Sequence, residues 1–271
     1  MSRRRLLRLA AAAIAGIAAA VLVAFVALPL LAIFLRVPLS TLVAQLHSQV
    51  ALDALRISLK TSLVALAFIV VVGTPVAHLL GTKRFPGRVV LVTLVELPLV
   101  LPPAVAGIGL FAAFGRTGLL GPALLHFGIR LPFTWVAVVM AQAFVAMPFY
   151  VRQAVAAFGS VDTQLLGASR TLGASPSRTF LRVAGPLARQ SLSAGAALAW
   201  ARALGEFGAT ALFAGSLQGR TQTLPLAIYS EFAGANITAC LAMSALLVAV
   251  SFGILVSVKL LLRGREWGVS A

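Results

Sequence analysis

Three groups of residues carry whatever chemistry this sequence can do. Arg202 and Glu206 stand four apart in an apolar stretch, residues 200–210, with Gly205, Phe207, Gly208 and Thr210 around them. That spacing places a cation and an anion on one helical face. Glu96 opens ELPLVLPP, residues 96–103, where Pro98, Pro102 and Pro103 follow it. Residues 161–186, VDTQLLGASRTLGASPSRTFLRVAGP, are the longest polar interruption of the chain. This is the chemistry of charge in apolar surroundings and of docking, and nothing in it is set up for covalent catalysis. No Ser/His/Asp or Cys/His constellation is present, so no residue is assigned a catalytic role. His47, His78 and His126 lack metal-ligand spacing, and no metal site is expected. The G-x-x-x-x-G-K-[ST] phosphate loop is missing, so ATP is not bound by that route.

The elements that position these groups follow from composition. Of 271 residues 61% are hydrophobic and 10% charged, and the mean hydropathy is +1.03. A water-soluble domain of that size needs more polar surface, so the chain reads as an all-α integral membrane protein. The lone Cys240 cannot form an internal disulfide and packs in an apolar segment. A bilayer core of about 30 Å takes roughly 20 helical residues. Six segments qualify as transmembrane helices: about 9–35, 57–80, 89–114, 132–157, 187–214 and 237–262. The first is too long for a cleaved leader and reads as a retained span. Residues 1–56 therefore form a first span with an external connection, and 57–262 the main transmembrane domain.

Net charge is +16. The cations lie between apolar runs, without aromatic interleaving, which argues against nucleic acid as a partner. With the N-terminus inside, only Arg36, Arg56, Lys60, Arg116, Arg130 and Arg220 of the 22 Lys and Arg residues fall in external connections, and Arg202 lies within a span. The remaining fifteen flank the inner side, so both termini and residues 161–186 are placed in the cytoplasm of a multi-pass cell-membrane (inner-membrane) protein.

The third span holds Glu96, Pro98, Pro102 and Pro103, and proline removes a backbone donor and clashes with the preceding turn. It is expected to break near its middle, either as a kinked packing helix or as a wall of a pathway. In the fifth span, Arg202 and Glu206 should pair and face protein or water, because each alone costs several kcal/mol at mid-membrane. Gly205 and Gly208 would admit a neighbouring backbone. The pair reads either as a structural tie or as part of a gate.

Residues 161–186 read as two short helices about a glycine turn. Asp162 caps the first, over 163–172, Gly173 ends it, and Ser175-Pro176 starts the second. Leu165, Leu166, Ala168, Ser169 and Leu172 form its stripe, and Pro186 marks the return to apolar sequence. The residues themselves leave open a hairpin that docks into a soluble partner and a well-capped solvated linker.

The Thr171–Gly173 turn followed by Val183-Ala184-Gly185-Pro186 resembles the EAA loop of ATP-binding-cassette importer permeases, with Gly167-Ala168-Ser169 standing where the family has Glu-Ala-Ala. ELPLVLPP, ARALGEFGAT and GRTQTLPLAIY resemble the corresponding stretches of molybdate permeases, and sulfate permeases share a looser form. The resemblance implies a type I importer permease fold and a homodimer. It also implies an external binding protein and two cytoplasmic ATPases that hold ATP and magnesium, leaving this chain without a cofactor. Gly167, Ala168, Ser169, Arg170, Leu172 and Gly173 would then dock the ATPase, and molybdate would be the cargo. Sulfate, thiosulfate or tungstate are the alternatives within the class. An ATPase-independent channel or membrane scaffold is the alternative outside it.

Overall fold

A computed structural model describes residues 3–263. Those residues form helices and connecting turns, with no strand among them. Helix α1 (Arg3–Leu35) is followed by the short α2 (Leu39–Leu46) and the long α3 (Gln49–Thr82). Helices α4 (Arg88–Val100) and α5 (Pro103–Phe114) come next, then α6 (Gly121–His126) and α7 (Trp135–Gly159). The polar stretch supplies α8 (Thr163–Thr171) and α9 (Pro176–Thr179), and α10 (Gly185–Leu204) returns through the bundle. Helices α11 (Gly208–Phe213), α12 (Leu224–Ala233) and α13 (Ile237–Arg263) complete the described chain.

Among the described residues, four helices, α1, α3, α7 and α13, are long and apolar enough to cross a membrane, and α4 with α5 makes a fifth candidate if that bent pair is one span. The sixth expected span corresponds to α10 and α11. Helix α10 has the length, 20 residues, but Arg189, Gln190, two glycines, two serines and Arg202 dilute its apolar character. Helix α3 starts at Gln49, eight residues earlier than the sequence suggested, because its first turns are covered: Ala51 and Ala54 pack with Leu224, Ala227 and Met243.

The core lies where α7 is gripped by α3 and α10. Small residues allow close approach: Ala146, Ala154 and Ala157 of α7 meet Ala65, Ile69 and Ala77 of α3 and Ala188, Ala199 and Ala203 of α10. Between apolar helices in lipid, such packing takes the place of the hydrophobic effect. Polar ties lock it. Trp200 Nε1 donates to Ser62 Oγ at 3.0 Å, and the Tyr150 and Thr74 hydroxyls share a hydrogen bond of 2.6 Å. Helix α1 contributes little to this core and presents its apolar surface outward, touching mainly α13.

Candidate functional site

Two of the expected spans are broken, and the breaks meet. Helix α4 ends at Val100, Leu101 and Pro102 are extended, and α5 leaves at 117° to it. Pro103 occupies the first turn of α5, where a missing N–H is harmless. The fifth span is not the continuous helix that the spacing of Arg202 and Glu206 suggested. It stops at Leu204, passes Gly205, Glu206 and Phe207, and restarts at Gly208.

The reason for that second break is chemical. Glu206 is only 1% exposed, and its carboxylate serves two partners. Oε2 lies 2.7 Å from Arg202 Nη2, and Oε1 accepts from Ala209 N at 2.8 Å. Had the helix run on, that N–H would have pointed to a carbonyl. Instead a negative side chain satisfies an orphan donor at the start of α11, where anions are favoured. Arg202 remains 28% exposed, so the pair joins a buried anion to a cation that still reaches solvent.

The two glycines part company. A Cβ on Gly208 would stand 2.7 Å from Pro103 Cβ, and one on Gly107 would stand 2.8 Å from the Ala209 carbonyl oxygen. Helices α5 and α11 therefore cross at a distance that only glycine permits. Gly205 admits no neighbouring helix; its nearest obstacle is Ala201 O of its own turn, at 3.7 Å, and its role is to end α10. Thr210 is fully buried in α11, and Phe207 packs on Tyr229 with ring centroids 5.1 Å apart.

Glu96 is not part of this crossing. It forms an ion pair with Arg152 of α7, Nε to Oε1 3.1 Å, between partly exposed side chains. Sequence reasoning singled out Glu96 and missed its partner, because no local spacing links α4 to α7. Pro98 lies in the wall of a groove of about 610 Å³ in the elbow of α4 and α5, beside Phe68, Leu110, Phe114, Met140 and Met147. Those apolar walls offer nothing to hold an anion.

The hairpin forms at the other end of α7. Asp162 Oδ1 accepts from Gln164 N at 2.8 Å, Ser175 Oγ accepts from Arg178 N at 3.3 Å, and Gly173 takes φ of +80°. Helix α8 ends at Thr171, one residue before the expected Leu172. Its stripe divides: Leu166 packs against the core and Ser169 hydrogen-bonds Thr179 at 3.1 Å. Leu165, Gly167, Ala168 and Arg170 face outward, and Leu172 at the tip is 89% exposed.

The second arm is not a short helix. Helix α9 runs through a π turn, Phe180–Ala184, straight into α10, making 29 consecutive helical residues. Pro186 causes that turn rather than ending the helix. It cannot donate to the preceding turn, and the wider π winding, with Gly185 N bonded to Phe180 O, relieves its ring. The hairpin and the break at Leu204 are thus opposite ends of one rod.

Residues 69–266 match the protein family described as the binding-protein-dependent transport system inner membrane component. The chain belongs to that family. It is a multi-pass membrane permease, and relatives make the same point. The chain is 43% identical over 233 residues to the molybdenum transport system permease protein ModB of Mycobacterium tuberculosis, covering 84% of this chain and 86% of that one. It is 39% identical over 230 residues to the probable transport system permease protein NifC of Clostridium pasteurianum, covering 84% and 79%. The structure of a bacterial ABC transporter that imports the acidic polysaccharide alginate superposes with a TM-score of 0.76 at 16% identity, covering 99% of this chain and 98% of that one. That likeness fixes the fold of the permease as that of ABC importers. The matched family segment includes the hairpin and both broken spans.

Proposed function

We propose that this chain is the membrane subunit of an ATP-driven importer of molybdate. The observation that carries the cargo assignment is its 43% identity to the molybdenum permease over 233 residues. In this reading two copies form a homodimer, an external binding protein delivers the oxyanion, and two ATPase subunits hold ATP and magnesium on the cytoplasmic side. Both termini face the cytoplasm, as the distribution of Lys and Arg favours.

The geometry supports a mechanical route for the coupling. An ATPase groove that takes up Leu165, Ala168 and Leu172 would grip the exposed face of α8. Movement of the hairpin would pass along the rod from Pro176 to Leu204, over about 40 Å at 1.5 Å per residue. The rod ends at Arg202 and Glu206, and Glu206 holds the start of α11. Helix α11 in turn is seated on α5, so displacement of the hairpin reaches both broken spans.

Uptake of labelled molybdate in cells with and without this subunit, with sulfate as competitor, tests the assignment. Uptake that requires the subunit and is only weakly competed by sulfate is expected. Uptake that persists without it, or that sulfate abolishes at equal concentration, overturns the molybdate reading.

A further inference from the structure

The elbow groove is apolar and the Arg202–Glu206 pair is internally neutralised, so neither offers an anion a place to arrive. A third feature does. We propose that a cavity of about 370 Å³ bounded by Lys60 and Arg220 is the entry site at which the transported oxyanion first meets the permease. The proposal rests on the importer reading above and assigns that reading its first contact with cargo.

Position comes first. Lys60 lies 22 residues before Thr82, the end of α3, a distance of about 33 Å at 1.5 Å per residue. At that end Gly81 packs against Val155 and Phe158 of α7, close to the hairpin. Lys60 is therefore about one bilayer thickness from the hairpin end. Trp135, the first residue of α7, stands at the same level, where aromatic residues mark the lipid–water boundary. The cavity opens on the face opposite the ATPase-docking hairpin.

Charge comes second. Among the described residues the ion pairs are Glu96–Arg152 and Arg202–Glu206, so neither Lys60 nor Arg220 is neutralised by a carboxylate. Lys60 Nζ lies 4.9 Å from the Trp135 ring centroid, a contact that positions the ammonium over the ring and leaves its charge without a counter-ion. The hydroxyl protons of the wall are already committed: Thr61 donates to Ile57 O at 2.7 Å and Thr134 to Leu131 O at 2.6 Å. What remains is two solvent-exposed cations beside Phe133 and Trp135, facing one cavity with no carboxylate to neutralise them. Such a site favours a compact dianion over a neutral solute.

The site is also built rather than incidental. Arg220 sits on a turn over residues 215–223 that is fixed from within and from α3. Thr221 Oγ1 donates to Gly215 O at 3.1 Å and accepts from Leu217 N at 3.0 Å. Leu224 N, just past that turn, donates to Ser58 Oγ at 2.7 Å, two residues before Lys60, so the end of the turn is tied to the stretch of α3 that carries Lys60. Phe133 has φ of +61° and packs where a Cβ on Gly215 would stand 2.9 Å from its ring. A bulky residue held in that region is strained, and such strain is concentrated at functional sites.

The test uses the complex with its ATPase and binding protein in proteoliposomes, with sodium tungstate as a probe of Trp135 emission and labelled molybdate for transport. Tungstate should shift the emission saturably, and Trp135→Phe should remove that signal. Lys60→Gln and Arg220→Gln should each raise the half-saturating tungstate concentration at least fivefold, and Lys60→Arg should restore it. The double variant should import molybdate at a half-saturating concentration raised more than tenfold, while its ATPase remains assembled. Import by the double variant with unchanged half-saturation overturns the site and leaves the importer reading intact. A wild-type complex that imports no oxyanion overturns both.

Discussion

Gly208 of α11 lies so close to Pro103 of α5 that a methyl group on the glycine would stand 2.7 Å from the proline Cβ. The first residues of two half-helices, over a hundred positions apart in sequence, thus define the crossing of the broken spans. Gly208→Val should force α5 and α11 apart, costing about 1–3 kcal/mol by overpacking and lowering uptake. Gly205→Ala should be nearly neutral, since Ala201 O is 3.7 Å from the added carbon. Thermal unfolding of the detergent-solubilised complex separates the two; equal shifts would contradict the crossing.

Arg202 and Glu206 should behave as a pair with unequal members. Arg202→Gln strands a buried carboxylate, with an expected cost of about 3 kcal/mol, the low end for a broken buried pair because Arg202 reaches solvent. Glu206→Ala should be worse than Glu206→Gln, because glutamine keeps an oxygen for Ala209 N. A double-mutant cycle with Arg202→Gln and Glu206→Gln should recover part of the loss.

Glu96 and Arg152 offer the contrast. Their side chains are partly exposed at 3.1 Å, so Glu96→Gln and Arg152→Gln should each change stability by less than about 1 kcal/mol. Measured coupling of several kcal/mol would place this pair in a far drier setting than the structure gives it.

Leu172 at the hairpin tip touches little of its own chain. Leu172→Glu should leave the unfolding midpoint unchanged and prevent co-purification of the ATPase. A glutamate variant that retains the ATPase would remove the hairpin from the docking role, as would a cysteine label at Ser177 that reacts only from the external face.

Much of this arrangement was legible in residue order. Helix caps at Asp162 and Ser175 and the glycine turn at Gly173 are local devices, and each formed where its chemistry demanded. The prolines after Glu96 announced a break, and the structure places it at Leu101 and Pro102. What escaped depends on partners distant in sequence. The i, i+4 spacing of Arg202 and Glu206 was correct as a pairing and misleading as a helix, because Glu206 also caps α11. Pro186 marked the return to apolar sequence, and its order alone did not show that a π turn carries one continuous helix through it. Arg152 as the partner of Glu96, and Ser58 as the anchor of the turn that carries Arg220, needed the packed bundle to be seen.

The doubly engaged carboxylate of Glu206 has a further consequence. A long beam that ends where a short one begins can swing only about whatever joins them, and here three residues form the joint and one side chain clasps it with a hand on each beam. It acts as a fulcrum: the angle between the beams is free to change only along the arc that keeps both of its grips.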